Sequence, residues 1–271
     1  MIGVFDSGFG GLTILKELRK ALPQYDFTYL GDNARAPYGT RSFETIYKYT
    51  LEAVEALFKM GCPLVILACN TASAKALRTI QQQDLPRIAP SNRVLGIVRP
   101  TAESIGNCTQ TGHIGIFATP GTVSSESYLI EISHFFPELK VTQHACPLWV
   151  PLVENGELDS EGTRFFVRRD IERLLSQDPQ IDTVLLACTH YPLLERIVRE
   201  CLPPHVQLIS QGKIVAERTV DYLLRHPEID SRLGKSAKME FFTTDTVEFF
   251  KKGAFLFGET DIFAKKLAFS V

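Results

Sequence analysis

Short apolar runs alternate along the chain with longer segments in which apolar residues recur at helical spacing. The runs predict nine strands, at 2–5, 27–30, 64–68, 94–97, 114–117, 141–144, 183–187, 206–209 and 239–243. Between them, segments such as 41–60 and 160–177 predict amphipathic helices. Runs such as LVILA (64–68) are apolar throughout, which is typical of strands buried on both faces. The alternation predicts an α/β fold of doubly wound parallel sheets with helices on both faces.

The apolar pattern also occurs twice. IGVFDSGFG resembles IGIFATPGT, and LVILACNT resembles TVLLACTH, with a matching strand between them in each half. The matched positions are Ile2 and Ile114 (114 − 2 = 112), Phe27 and Val141 (141 − 27 = 114), and Cys69 and Cys188 (188 − 69 = 119). Three matches in the same order at nearly constant spacing predict two pseudo-symmetric α/β units that face each other.

Two units agree with a length of 271 residues. Pro100 follows the fourth strand and disfavours its continuation, so we place a boundary near 97–100. Strand and helix patterns continue from about 208, and we expect this tail to return to the first unit. The predicted domains are 1–97 plus 208–271, which is discontinuous, and 98–207.

Composition disfavours several classes of function. Lys and Arg number 29 and Asp and Glu 31, and the resulting charge of −2 gives no general attraction to nucleic acid or to a membrane. We find neither the run of about 18 apolar residues that a membrane helix needs nor a signal peptide, so we expect a cytoplasmic protein. The six cysteines form no CxxC pair, and cytosolic thiols stay reduced, so we expect neither a disulfide framework nor a zinc ribbon.

Cys69 and Cys188 end the third strand of each unit, and each stands between an alanine and a polar residue. Ligands of open α/β sheets bind beyond the carboxyl ends of strands. A following helix N-terminus favours a thiolate and lowers the pKa of a thiol. Each cysteine alone could equally be a small buried apolar residue, but two at equivalent positions favour a function. Because inversion of a stereocentre needs a base on one face and an acid on the other, the pair predicts a racemase.

Other polar residues follow the same strand ends. Asp6 would orient or activate a thiol and Ser7 would bind a carboxylate, although a turn residue and a helix cap are alternatives. His190, two residues after Cys188, would place an imidazole beside that thiol or beside the substrate amine. The glycine-rich turn at 8–11 lacks the Lys-Ser/Thr of a phosphate-binding loop.

Uncharged donors near helix N-termini bind carboxylates without arginine, or cap the helix. Four of them flank the cysteines: Asn70, Thr71, Ser73 and Thr189. In the second repeated element, Tyr38 and Gly39 end one loop and Glu154 ends its counterpart. Glu154 would meet a substrate ammonium group, or would be a solvated carboxylate. The remaining cysteines have no such context, and we treat them as structural: Cys62, Cys108, Cys146 and Cys201.

With these residues in view, the chain resembles the bacterial glutamate racemases of the aspartate/glutamate racemase superfamily. The matching motifs are VFDSGFGGLT (4–13), GDNARAPYG (31–39), ACNTASA (68–74), CPLWVPLVENG (146–156) and LLACTHYPLL (185–194). The resemblance implies two flavodoxin-like domains with the active site in the cleft between them. It also implies interconversion of L- and D-glutamate at Cα with no cofactor and no metal, which supplies D-glutamate for peptidoglycan. We expect a homodimer.

The resemblance further implies residue roles. Cys69 and Cys188 would be the acid/base thiols, with Cys69 on the D-glutamate side and with Asp6 and His190 in support. The implied substrate contacts are Asp6, Ser7, Tyr38, Gly39, Asn70, Thr71, Thr189 and His190, and Glu154 matches a further acidic site residue. The chain departs from the usual pattern in GIVRP (96–100), in IAPSNRVL (88–95) and in FFTTDTVEFF (241–250). We expect these departures to affect the domain junction, the dimer arrangement and any allosteric pocket, and not to touch the matched site residues.

Other hypotheses stay open. The substrate could be aspartate or another acidic amino acid, or the protein could bind an amino acid without turnover. A redox pair would form a Cys69–Cys188 disulfide, which requires Cα atoms within about 7 Å. A zinc site of both thiols and His190 lacks an obvious fourth ligand. Because Asp6 corresponds to Ala118 in the repeat, we expect Asp6 to assist one thiol and His190 the other, with unequal resting pKa values.

Overall fold

The nine predicted strands all form. In the computed structural model, which describes residues 1–260 and 262–269, they lie within one or two residues of the predicted bounds. A tenth strand near the end was not predicted. The strands are β1 (Ile2–Asp6), β2 (Phe27–Gly31), β3 (Leu64–Leu67), β4 (Arg93–Gly96), β5 (His113–Ala118), β6 (Lys140–Ala145), β7 (Thr183–Ala187), β8 (Gln207–Ser210), β9 (Met239–Thr243) and β10 (Ala264–Lys266).

Two parallel sheets are built from these strands, in the orders β10-β9-β2-β1-β3-β4 and β6-β5-β7-β8. The shared order 2-1-3-4 is that of flavodoxin-like folds, so the predicted fold class is confirmed. The strand register reproduces the sequence repeat. Ile2 lies opposite Phe27 and Leu64, and the equivalent Ile114 lies opposite Val141 and Thr183.

Helices cover both faces of the sheets. They are α1 (Leu12–Ala21), α2 (Phe43–Lys59), α3 (Asn70–Lys75), α4 (Leu77–Thr79), α5 (Leu85–Ile88), α6 (Val98–Ile105), α7 (Pro120–Ser124), α8 (Ser127–Phe135), α9 (Trp149–Glu154), α10 (Glu161–Gln177), α11 (Glu195–Cys201), α12 (Gln211–Arg225), α13 (Pro227–Asp230) and α14 (Val247–Leu256). The predicted helices at 41–60 and 160–177 are confirmed as α2 and α10. Both begin at a serine, Ser42 and Ser160, whose hydroxyl accepts a hydrogen bond from a backbone N–H in the first turn.

The chain passes between the sheets twice. It leaves the first sheet after β4 through α6, which begins at Val98, and it leaves the second sheet after β8 through α12. β9 then pairs with β2, and β10 with β9. The domain division stays a prediction, but a boundary at 208 would cut β8, which pairs with β7 as far as Ser210. We therefore propose that the tail begins at Gln211.

Strands β1, β2, β3 and β7 are buried along their whole length, which accounts for their continuous apolar sequences. Strand β10 is different, because it has three residues, two of them exposed lysines, and lies at the edge of its sheet. Within the residues that the structure describes, none of the helices is long and apolar enough to cross a membrane.

Candidate active site

The carboxyl ends of the two sheets share one cavity of about 100 Å³. Ten of the eleven residues to which the family resemblance assigns a role line it: Ser7, Tyr38, Gly39, Cys69, Asn70, Thr71, Glu154, Cys188, Thr189 and His190. The eleventh, Asp6, is fully buried at the end of β1. Residues that were not predicted also form the wall, among them Thr119 after β5 and Cys146 after β6. The fold therefore brings the predicted residues of both units to one place.

Cys69 follows β3 at the N-terminus of α3. Its sulfur accepts from the backbone N–H of Ala72 at 3.5 Å, and its thiol donates to Ser7 Oγ at 3.5 Å. Burial and the nearby carboxylate of Asp6 raise its pKa to about 12, although the hydrogen bonds with Ser7 and Ala72 oppose this. The expectation that the helix N-terminus would lower this pKa is therefore wrong, because burial and Asp6 outweigh the helix.

Cys188 has different surroundings. Its sulfur lies 4.0 Å from Nδ1 of His190, whose Nε2 lies 2.9 Å from a carboxylate oxygen of Glu154. Burial alone would lower the pKa of His190, but the hydrogen bonds with Cys188 and Glu154 outweigh burial and raise this pKa to about 10. The imidazole therefore carries a proton at neutral pH, and it holds that proton next to the second thiol.

Asp6 lies beneath the site and contacts both units. One carboxylate oxygen accepts from Gly8 N at 2.9 Å, and the other accepts from the Thr189 hydroxyl at 3.3 Å. Burial raises its pKa, and the charge of His190 and these hydrogen bonds only partly offset that effect. Asp6 thus acts on Cys69 through its charge, without a hydrogen bond between the two side chains.

The glycine-rich turn after β1 serves close packing. A Cβ on Gly10 would overlap the Thr189 hydroxyl and lie 2.5 Å from Nδ1 of His190. A Cβ on Gly11 would lie 2.5 Å from that of Asp6. Gly10 therefore lets the first unit approach the second directly beside the thiols, and Gly11 lets the turn pack against Asp6.

Three threonine hydroxyls form a buried cluster, and two of these threonines, Thr71 and Thr119, line the cavity. Thr71 Oγ1 lies 2.9 Å from Thr119 Oγ1 and 3.4 Å from Thr122 Oγ1. Thr119 was not predicted from the sequence, although the repeat places it at the position of Ser7 (119 − 7 = 112). The sequence signal that identifies Thr119 is therefore the offset of 112 residues between Ile2 and Ile114.

Tyr38 and Gly39 connect elements of the site. The Tyr38 hydroxyl donates to Asp32, and the carbonyl of Gly39 accepts from Gly121 N of the second unit at 2.8 Å. The other oxygen of Asp32 accepts from the hydroxyl of Thr244 at 2.8 Å. Thr244, in the unusual tail sequence, therefore reaches Tyr38 only through Asp32.

His144, Cys146 and Asp170 bring their potential ligand atoms within 4.8 Å of one another beside the cavity. The carboxylate of Asp170 is already occupied, since Arg169 donates to one oxygen at 3.0 Å and Trp149 Nε1 to the other at 2.9 Å. Because Arg169 already neutralises this carboxylate, we assign the cluster a structural role.

Comparison with known proteins identifies the class. A sequence model described as Asp/Glu/Hydantoin racemase matches residues 10–219, and the chain therefore belongs to that racemase family. A curated relative from Geobacter metallireducens, a glutamate racemase, is 41% identical over 244 residues, which cover 90% of this chain and 87% of that protein.

Solved structures agree with this assignment. A glutamate racemase isoform from Bacillus anthracis has a TM-score of 0.89 at 35% identity, and the match covers 98% of this chain and 97% of the other. A glutamate racemase from Francisella tularensis, solved with D-glutamate, has a TM-score of 0.86 at 30% identity, with coverage of 99% and 97%. Both confirm the fold of two parallel-sheet units.

Proposed function

We propose that this protein interconverts L- and D-glutamate by proton transfer at Cα between two cysteines. The observation that carries the proposal is that Cys69 and Cys188, at equivalent strand ends of two similar units, lie on the wall of one cavity. The substrate assignment is supported by the glutamate racemases among its relatives, one of which was solved with D-glutamate. Hydroxyls of Ser7, Thr71 and Thr119 on the wall suit a substrate with carboxylates.

The protons balance across one turnover. A Cys188 thiolate takes the Cα proton, and the electron pair of that bond stays on the substrate as a carbanion delocalised into the α-carboxylate. The thiol of Cys69 then gives its proton to the opposite face. Cys188 ends as the thiol and Cys69 as the thiolate, and solvent protons restore the starting state. The reverse reaction exchanges these roles.

The surroundings of the two thiols differ in a way that bears on their roles. With a pKa of about 12, Cys69 is protonated at neutral pH and is ready to act as the acid. The charged His190 next to Cys188 stabilises the negative charge of that sulfur. The protonated Cys69 therefore suits the direction in which it donates a proton and Cys188 abstracts one. If Cys69 faces D-glutamate, as the family resemblance implies, that direction is from L- to D-glutamate.

We further propose that the protein acts in the cytoplasm as a homodimer and supplies D-glutamate for peptidoglycan. Family membership supports the cellular role. Depletion of the protein should arrest growth of its host, and added D-glutamate should restore it. Light scattering on a sizing column should give twice the mass of the chain, and a mass of one chain would contradict the dimer.

Incubation of the purified protein with L-glutamate in D₂O, without added cofactor, tests the activity. We expect D-glutamate to form with deuterium at Cα. Parallel incubation with L-aspartate distinguishes the substrates, and we expect much slower turnover there. Absence of both D-glutamate and Cα deuterium would contradict the proposal.

A further inference from the structure

Asn70, the residue after Cys69, belongs to a ring of buried hydrogen bonds that joins both units. Its amide donates to Gln211 Oε1 at 2.8 Å, Gln211 Nε2 donates to the Tyr128 hydroxyl at 2.6 Å, and Tyr128 donates to Asn70 Oδ1 at 2.7 Å. All three side chains are at least 98% buried. The ring joins α3 of the first unit, α8 of the second and the start of α12, which connects them.

Such a ring can run in either direction. If both amides turned over and the Tyr128 proton pointed the other way, Asn70 would donate to Tyr128, Tyr128 to Gln211 and Gln211 to Asn70. Each of the three contacts would still have one donor and one acceptor. The ring alone therefore does not determine which end of the Asn70 amide lies on which side.

Thr101 of α6 determines the direction. Its only hydroxyl proton is donated to the backbone carbonyl of Ile97 at 2.8 Å, the usual i−4 bond of a helical threonine. Its oxygen can then only accept, and it accepts from Gln211 Nε2 at 2.9 Å. In the reversed ring the oxygen of Gln211 would face the oxygen of Thr101 with no proton between them, which is unfavourable in a buried site.

In the observed direction, the side-chain nitrogen of Asn70 faces Gln211, and one of its two N–H groups donates to Gln211. The second N–H has no partner among the described residues, and Asn70 lines the cavity. We propose that Thr101 and Gln211 are positioning residues that keep an N–H donor of Asn70, not its carbonyl oxygen, available to a substrate carboxylate. The inference rests on the proposed function, because it takes glutamate as the ligand.

Removal of the Thr101 hydroxyl tests the inference. In Thr101→Val the ring can reverse, because in the reversed ring the oxygen of Gln211 would no longer face the oxygen of a threonine. We expect KM for glutamate to rise roughly tenfold while kcat changes less, since a carboxylate contact acts on bound substrate and transition state alike. Thr101→Ser keeps the hydroxyl and should restore the KM of the wild type.

Thr50→Val is the matched control. Thr50 is equally buried and donates to the carbonyl of Ile46 at 2.7 Å, also an i−4 bond, but it lies in α2 away from the ring. Thermal unfolding shows whether the two valine variants lose similar stability. Equal KM values for them, or no restoration by Thr101→Ser, would overturn the inference. Absence of turnover by the wild type would instead overturn the proposed function, together with this inference.

Discussion

The single residues around the two thiols differ, although the strands that hold them are equivalent. Cys69 has a hydroxyl and a buried carboxylate near it, whereas Cys188 has an imidazole paired with Glu154. The sequence predicted an asymmetry from Asp6 and Ala118. It did not predict that burial would raise the pKa of Cys69, because burial depends on how the rest of the folded chain packs around the strand end.

Thermodynamics limits which kinetic constants can reveal this asymmetry between the two thiols. Enantiomers have equal free energies, so kcat/KM in the two directions must be equal in every variant. Substitution of Asp6 or His190 therefore changes kcat/KM equally in both directions. The expected inequality between the thiols can appear only in the separate kcat and KM values, or in exchange with solvent.

The raised pKa of His190 predicts how stability depends on pH. The folded protein keeps a proton up to a pKa of about 10, whereas the unfolded chain releases it near the ordinary value of 6.5. This contribution to the free energy of unfolding is complete below pH 6.5 and is lost as the pH rises through 10, with a slope of at most about 1.4 kcal/mol per pH unit. His190→Gln should flatten that slope in urea unfolding. Replacement of the exposed His205 should leave it unchanged, and equal slopes in all three proteins would contradict the account.

Among the elements, the turn after β1 packs so closely that it requires glycines, and the glycines are the only sign of this packing in its sequence. Gly10→Ala should lower kcat/KM by about 10- to 100-fold, because the added methyl group displaces Thr189 and His190 beside Cys188. Gly162→Ala is the control, since its methyl group would meet only the Ser160 hydroxyl, at 3.7 Å, in the first turn of α10. Full activity of Gly10→Ala would show that the turn is not packed as described.

Elements formed by local pattern could be predicted from the sequence, and those formed by tertiary context could not. Nine strands followed from apolar runs, but β10 has two lysines in three residues and forms only because the edge of β9 is available. The repeat could have identified Thr119. Nothing local marks Tyr128 or Gln211, because their roles arise from helices that meet only in the folded chain.

For the whole molecule, the site depends on contacts between the two units. One of these is the hydrogen bond from Gly121 N of the second unit to the Gly39 carbonyl of the first. We expect glutamate to close the cleft and to slow amide hydrogen exchange at Gly121. Exchange at Gly61, whose N–H bonds to Phe58 within the first unit, should not change. An equal effect at both amides would argue against closure.

The claim that each thiol serves one face of Cα is tested most directly by deuterium exchange in single-cysteine variants. Cys188→Ala and Cys69→Ala are each incubated in D₂O with L-glutamate and, separately, with D-glutamate. We expect neither variant to racemise. Each should exchange the Cα proton of one enantiomer only, D-glutamate for Cys188→Ala and L-glutamate for Cys69→Ala, because the remaining thiol returns a deuteron to the face it served. Exchange of the same enantiomer by both variants, or racemisation by either, would contradict the two-thiol account.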